Sequence, residues 1–124
     1  MNPKILIVDD EATVCEDISH YLGSKGYDTI IATSGQQALS RLLLEGPDLT
    51  LLDIRMPDMD GIECLSKIRR LNKEALVIMV TCVTDIDIAT KAIELGAIDY
   101  ITKPLGLEAL ETAITTYLFL KTAK

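Results

Sequence analysis

The chain alternates short runs of apolar residues with longer segments in which apolar residues recur every three or four positions. Short runs rich in β-branched residues are typical of buried strands in a parallel sheet. The longer spacing is that of amphipathic helices. Five strand–helix pairs follow one another, which predicts an α/β fold with a doubly wound parallel sheet. The predicted strands cover residues 4–8, 27–32, 49–52, 76–80 and 98–102.

The helical segments carry recognisable start signals. The first helix should cover roughly residues 12–24, and Ser34 with Gln37 predicts a capping box at the start of the second. Asp60 with Glu63 predicts a cap for the third helix, and we assign no catalytic role to Asp60 or to Asp58 in the loop before it. We expect the following apolar residues of the first three helices to face the sheet: Val14, Ile18, Tyr21, Leu22, Leu39, Leu42, Leu43, Ile62, Leu65 and Ile68.

Polar side chains stand where four of the five strands end. The first strand runs into Asp9 and Asp10, the third into Asp53, the fourth into Thr81 and the fifth into Lys103. Parallel strands present their carboxyl ends along one edge, and ligands bind there, where the winding direction reverses. In the strand order 2-1-3-4-5 that reversal lies between the first and third strands. This order would place the three carboxylates side by side.

Each of these residues also has a purely structural explanation. Asp9 and Asp10 fit helix caps equally well, Thr81 fits an ordinary β-branched strand residue, and Lys103 fits a solvated loop lysine. Asp53 is harder to explain by packing, because an unpaired carboxylate at the end of a buried strand is costly.

Length and composition narrow the possible functions. The 124 residues suit one domain covering 1–124, and 12 Lys and Arg against 19 Asp and Glu give a net charge of −7. Because nucleic-acid binding depends on cationic side chains, we expect no direct nucleic-acid contact. No apolar run approaches the roughly 20 residues of a membrane span, and the basic start of a signal peptide is missing. Three scattered cysteines favour a reducing cytoplasm.

Three motifs resemble the receiver domain of two-component response regulators. They are I-L-I-V-D-D-E at the start, D-I-R-M-P-D-M-D-G in the middle and D-Y-I-T-K-P near the end, so the resemblance covers the whole chain. It implies a flavodoxin-like sheet of order 2-1-3-4-5 with five helices. It also implies a signalling switch rather than an enzyme. Such a chain takes a phosphoryl group from the phosphohistidine of a sensor histidine kinase or phosphotransfer protein, with only self-directed phosphotransfer and autodephosphorylation.

The resemblance also assigns a metal site and a phosphoacceptor. Asp53 becomes the phosphoacceptor, Asp10 and Asp53 bind Mg²⁺ or Mn²⁺ directly, the Arg55 backbone carbonyl adds a ligand, and Asp9 acts directly or through water. Charge supports this assignment, because three carboxylates would repel an incoming phosphoryl group. With Lys103 and a divalent cation the charges of the site sum to zero, and oxygen-rich sites suit these cations.

Further roles follow from the same resemblance. Thr81 and Lys103 contact the phosphoryl oxygens, and Thr81 acts with Tyr100 as a switch that responds to phosphorylation. The peptide bond between Lys103 and Pro104 is expected to be cis, which aims the lysine into the crevice. A homodimer through the fourth helix, fifth strand and fifth helix is also expected.

The fifth helix carries one apolar residue that points away from the core. Leu110, Ile114, Tyr117 and Leu118 fall on one stripe, which predicts that they face the sheet, whereas Phe119 lies on the opposite side. Single exposed apolar residues are common. Phe119 therefore fits either an incidental residue or a contact in a dimer or with an output domain.

Three other functions can be set against the receiver assignment. A haloacid-dehalogenase-type phosphohydrolase carries its nucleophile in a DxD motif after the first strand, whereas here the candidate Asp53 follows the third. A flavodoxin-like FMN carrier needs a phosphate loop, and Asp9, Asp10 and Glu11 would repel that phosphate. A degenerate scaffold is disfavoured because every site residue is present. The sequence leaves open whether a DNA-binding, ATPase or enzymatic output domain follows, although its last motif is similar to receivers of transcriptional regulators.

Overall fold

The computed structural model describes residues 2–81, 86–103 and 106–122, and in these residues five strands alternate with five helices. The predicted α/β fold is confirmed. The elements are β1 (Lys4–Val8), α1 (Ala12–Ser24), β2 (Asp28–Ala32), α2 (Gly35–Glu45), β3 (Leu49–Asp53), α3 (Gly61–Leu71), β4 (Val77–Thr81), α4 (Ile86–Glu94), β5 (Asp99–Thr102) and α5 (Leu107–Thr122).

The five strands form one parallel sheet in the order β2-β1-β3-β4-β5. The winding direction therefore reverses between β1 and β3, which is where a doubly wound sheet opens a crevice at its carboxyl edge. The register aligns the strand ends along this edge. Val8 of β1 pairs with Leu52 of β3, Asp53 pairs with Val80 of β4, and Thr81 pairs with Thr102 of β5.

Two apolar layers cover the two faces of the sheet. In β1, Ile5 and Ile7 point to one layer, while Leu6 and Val8 point to the other, as the two-residue period of a strand requires. The first layer is completed by residues of α1 and α5, and the second by residues of α2, α3 and α4. Because helices cover both faces, the central strands are mostly apolar and can be recognised in the sequence without alternation.

The inward face of α2 differs from the prediction at one residue. Leu42 is buried and Leu39 is partly buried, but Leu43 is 66% exposed. The buried face of this helix is set by Gly35, Ala38 and Leu42, and Leu43 lies about 100° around the axis from Leu42. The prediction for Leu43 was therefore wrong, because the α2 stripe is narrower than its leucine content suggests.

The predicted helix caps are present, one of them in altered form. Ser34 Oγ accepts a hydrogen bond from Gln37 N at 3.1 Å, and Asp60 Oδ1 accepts one from Glu63 N at 2.8 Å. Gln37 Oε1 accepts from Thr33 N at 2.9 Å, one residue earlier than the N-cap donor of a standard capping box. None of the described helices is long and apolar enough to cross a membrane.

Candidate functional site

Three carboxylates meet at the carboxyl edge of the sheet. Asp53 is the last residue of β3 and is 6% exposed, Asp9 directly follows β1 and is also buried, and Asp10 is exposed. One carboxylate oxygen from each of the three lies within 4.8 Å of the other two. The structure thus brings together the three acidic residues that the sequence places at strand ends.

Lys103 reaches the same cluster from the other side of β3. Its Nζ lies 2.8 Å from Asp9 Oδ2 and 3.4 Å from Asp53 Oδ2. Its backbone N donates to the Thr81 carbonyl oxygen at 2.6 Å, which extends the pairing of β4 with β5 by one residue. With one ammonium against three carboxylates, the cluster has a net charge of −2. A divalent cation would neutralise that charge.

Burial and mutual repulsion set the acid–base behaviour of the cluster. Burial raises the pKa of Asp53 above its ordinary value of 3.8, and the negative charge of Asp9 raises it further. Lys103 and the Arg55 backbone N–H lower the pKa of Asp53 in part. Burial alone would lower the pKa of Lys103, but its hydrogen bond to Asp9 and the two negative charges outweigh burial and raise it. Without a metal ion, the three ionised carboxylates therefore carry more negative charge than the single Lys103 ammonium can neutralise.

The loop between β3 and α3 begins at the acidic cluster and is held tightly at its base. Arg55 N approaches Asp53 Oδ1 at 3.5 Å, and Gly61 N donates to the Ile54 carbonyl oxygen at 2.6 Å. A Cβ atom on Gly61 would overlap the Asp53 carbonyl oxygen and lie 2.7 Å from Ile54 Cα. The start of α3 thus packs directly on the end of β3. The final glycine of D-I-R-M-P-D-M-D-G, which the sequence analysis left without a role, makes this approach possible.

The two residues expected to form the switch lie on neighbouring strands. Thr81 is fully buried at the end of β4, beside the strand that carries Asp53. Tyr100 lies in β5, pairs with Met79 and packs partly buried against the apolar layer shared with α2, α3 and α4. Pro104, and with it the expected cis bond, lies outside the described residues.

The carboxyl edge of the sheet has the oxygen donors that a hard divalent cation requires. Asp9, Asp10 and Asp53 supply carboxylate oxygens, and such oxygens, with water, are what Mg²⁺ prefers in proteins. The chemistry of this donor set therefore fits Mg²⁺ or Mn²⁺.

Comparison with known proteins gives consistent matches. Residues 5–115 match the family described as response regulator receiver domain. The chain is 38% identical over 121 residues to sporulation initiation phosphotransferase F of Bacillus subtilis, with 98% of both chains covered. It is 37% identical over 113 residues to transcriptional regulatory protein ZraR of Escherichia coli, covering 91% of this chain but 26% of ZraR. A CheY-like response regulator receiver domain protein of Methanospirillum hungatei superposes with a TM-score of 0.96 at 31% identity, covering 99% of this chain and 98% of that one.

Proposed function

The chain belongs to the response regulator receiver domain family, and on this basis we propose that Asp53 is its phosphoacceptor. A receiver domain of two-component signalling serves as a phosphoacceptor switch. The observation that carries the assignment of Asp53 is the convergence of three carboxylates and the Lys103 ammonium at one edge of the sheet. Of the three carboxylates, Asp53 alone is a residue of a strand, and it pairs with Val80 of the neighbouring β4.

The proposed phosphotransfer would use these groups in the following way. A carboxylate oxygen of Asp53 attacks the phosphorus of a phosphohistidine, the P–N bond breaks as the new P–O bond forms, and the departing imidazole takes up a proton. The Lys103 ammonium, 3.4 Å from Asp53 Oδ2, is placed to pair with a phosphoryl oxygen as the transfer proceeds. The buried Thr81 ends the neighbouring strand, and its hydroxyl supplies a further donor to the phosphoryl group.

The proposed cofactor is Mg²⁺ or Mn²⁺. Receiver domains generally bind Mg²⁺, and in this chain Asp9, Asp10, Asp53 and the Arg55 carbonyl would hold it. When bound, a divalent cation offsets the negative charge of the carboxylates and of the transferred phosphoryl group. The protein's own part is to keep these oxygens together against their mutual repulsion.

Phosphorylation is proposed to act through Thr81 and Tyr100 on a partner surface formed by α4, β5 and α5. Receiver domains interact with histidine kinases or phosphotransfer proteins. For this chain a homodimer through that surface is supported by Phe119 and Ile93, which are 68% and 50% exposed. Self-directed phosphotransfer and autodephosphorylation complete the proposed activity.

The net charge of the chain bears on nucleic-acid binding, and its cysteines bear on its compartment. A net charge of −7 supports the proposal that the domain makes no direct nucleic-acid contact. Cys15 and Cys64 are buried free thiols, which supports a reducing cytoplasm as its compartment.

Neither the phosphohydrolase nor the FMN-carrier alternative is favoured. The candidate nucleophile lies at the end of β3, whereas a haloacid-dehalogenase-type hydrolase would carry it after β1. The residues after β1 are Asp9, Asp10 and Glu11, whose charges would repel the phosphate of FMN.

The test is phosphorylation of wild type, Asp53→Asn and Asp17→Asn by acetyl phosphate with and without Mg²⁺, followed by intact mass measurement. Asp17 is an exposed residue of α1, so its replacement is a matched loss of one carboxylate charge. Wild type and Asp17→Asn should gain one base-labile phosphate only with Mg²⁺, and Asp53→Asn should gain none while keeping its circular dichroism spectrum. Labelling of Asp53→Asn at the wild-type rate would show that the nucleophile is another residue.

A further inference from the structure

The loop between β3 and α3 is attached to α2 through the side chain of Asp58. Asp58 Oδ1 accepts a hydrogen bond from Gly35 N at 2.9 Å, and Asp58 Oδ2 accepts one from Gln36 N at 3.0 Å. These are the first two N–H groups of α2, which have no acceptor within their own helix. Ser34 caps only the third, from Gln37. A carboxylate from a distant loop therefore completes the first turn of α2, and both its oxygens are used in doing so.

An apolar contact reinforces this attachment. Met59, next to Asp58, is buried, and its side chain occupies the space where a Cβ on Gly35 would lie, 2.6 Å from Sδ. The missing side chain at Gly35 lets the loop lie directly against the α2 backbone. Close contact of this kind brings the Asp58 carboxylate within hydrogen-bonding distance of two successive amides.

Arg55 lies between two fixed points of this loop. The base is closed by the hydrogen bond from Gly61 N to the Ile54 carbonyl, and the tip is held by Asp58 on α2. Without the two hydrogen bonds of Asp58, the loop would be held by its base, by the weak contact of Arg55 N with Asp53 Oδ1, and by the buried side chains of Met56 and Met59. The position of the Arg55 backbone relative to Asp53 thus depends in part on a polar contact made at the far end of the loop.

We propose that Asp58 is a positioning residue for the metal site: by fixing the loop to α2, it holds the Arg55 carbonyl oxygen in place for the divalent cation. This inference rests on the proposed function, because the carbonyl has a ligand role only if the cation binds at Asp10 and Asp53. Asp58 itself is not a ligand, since its two oxygens accept from Gly35 and Gln36. Its effect passes through the loop backbone.

The size of the effect follows from this indirect position. Groups that hold a metal ligand directly change metal affinity by about 10- to 100-fold when they are removed. Asp58 acts on Arg55 through two intervening residues, Met56 and Pro57. We therefore expect Asp58→Ala to weaken Mg²⁺ binding by about three- to tenfold, less than the loss of such a direct group. Asp58→Asn keeps one carbonyl-type oxygen for Gly35 N but turns an amide N–H₂ group toward Gln36 N, so it should lie between the alanine variant and wild type.

The matched control is Asp60→Ala. Asp60 lies two residues away in the same loop, is also exposed, and also caps a helix, through its bond from Glu63 N at 2.8 Å. Loss of either cap should lower the melting temperature by a similar amount, because each removes one helix-capping side chain. Of the two capping aspartates, Asp58 joins the loop to a second helix, whereas Asp60 caps the helix that follows the loop. Of the two, therefore, only the loss of Asp58 should reach the metal site.

The experiment is a Mg²⁺ titration of the phosphate-free protein followed by backbone amide NMR, since the chain contains no Trp for a fluorescence titration. The proposal expects weakened binding in Asp58→Ala, partial recovery in Asp58→Asn, and unchanged affinity in Asp60→Ala. In the metal-free protein, hydrogen exchange at the Gly35 and Gln36 amides should accelerate in Asp58→Ala. Wild-type affinity in Asp58→Ala, or equal weakening in Asp60→Ala, would overturn the positioning role. Absence of saturable Mg²⁺ binding in wild type would instead refute the proposed function.

Discussion

Replacing Lys103 by methionine tests how the acidic cluster is stabilised without metal. The substitution keeps the apolar stem and removes the ammonium that lies 2.8 Å from Asp9 Oδ2 and 3.4 Å from Asp53 Oδ2. Two nearly buried carboxylates then face each other without a cation. Removing one partner of a buried ion pair costs about 3–5 kcal/mol. The Lys103 side chain is 21% exposed, so we expect the lower end, about 3 kcal/mol.

This free energy corresponds to a large change in melting temperature. An unfolding entropy of about 2.1 cal/mol/K per residue gives about 0.26 kcal/mol/K for a chain of 124 residues. A loss of about 3 kcal/mol in EDTA at pH 7 should therefore lower the melting temperature by about 11 °C.

Two conditions, low pH and added Mg²⁺, should restore the stability of the Lys103→Met variant. The pKa of Asp53 is already raised by burial and by Asp9, and loss of Lys103 removes an opposing influence. An acid whose pKa is raised by folding contributes stability below its unfolded value of 3.8 and loses it as pH rises through the folded value. The deficit should therefore be largest at neutral pH and shrink on acidification. Mg²⁺ should also raise the melting temperature of the variant more than that of wild type, because the cation supplies the missing positive charge.

The assay is thermal unfolding by circular dichroism in EDTA and in Mg²⁺, at neutral and acidic pH. Lys67→Met provides the control, since Lys67 pairs with Glu63 at 3.2 Å on the surface of α3 and its side chain is 39% exposed. Such surface pairs contribute about 0–1 kcal/mol, so this control should melt close to wild type under all conditions. The electrostatic explanation of the site would be wrong if Lys103→Met and Lys67→Met had the same melting temperature in EDTA. It would also be wrong if Mg²⁺ raised the melting temperatures of Lys103→Met and wild type by the same amount.

Two further predictions concern the response to phosphorylation. Thr81→Val should leave Asp53 phosphorylation measurable but reduce the phosphorylation-induced NMR shifts around Tyr100, because the hydroxyl that would bond the phosphoryl group is gone; shifts as large as in wild type would remove Thr81 from the coupling. Phe119→Ser should leave the melting temperature nearly unchanged, since the ring is 68% exposed, and should weaken self-association of the beryllofluoride-activated protein in sedimentation. An identical oligomer distribution for variant and wild type would make Phe119 an incidental surface residue.

The parts of the fold that are buried on both sides were the parts that the sequence predicted well. The central strands β1, β3 and β4 are mostly apolar because helices cover both faces, and their bounds, like those of the edge strands, agree with the prediction to within one residue. The edge strand β2 starts at Asp28 rather than Tyr27, because Tyr27 N donates to the Leu22 carbonyl in the turn after α1. Burial alone did not give the strand order, which came from the family resemblance.

For the site as well, some features could be predicted from the sequence and others could not. Asp9, Asp10, Asp53, Thr81 and Lys103 could be identified because each stands where an apolar run ends, and parallel strands place their ends together. Their chemical roles remain predictions.

The role inferred for Asp58 was beyond sequence reasoning. Asp58 and Gly35 are 23 residues apart in the chain. The donors are backbone amides, which nearly every residue type has, so no residue pattern marks them as partners of Asp58. From the sequence alone, an aspartate in that loop could only be assigned to the loop itself.

The charge balance at Asp53 explains why phosphorylation would reach the surface of this protein. On the proposed mechanism the acyl phosphate replaces one carboxylate charge by a group of close to −2, so the crevice gains about one negative charge at a residue that is 6% exposed. Water cannot solvate that charge freely, so protein donors must approach it. Two of the proposed donors are Lys103, whose Nζ lies 3.4 Å from Asp53 Oδ2, and Thr81. They are already joined by the hydrogen bond from Lys103 N to the Thr81 carbonyl oxygen at 2.6 Å. Because Lys103 directly follows β5, a shift of this pair would, on the proposed mechanism, act on the strand that carries Tyr100, and thus on the proposed partner surface.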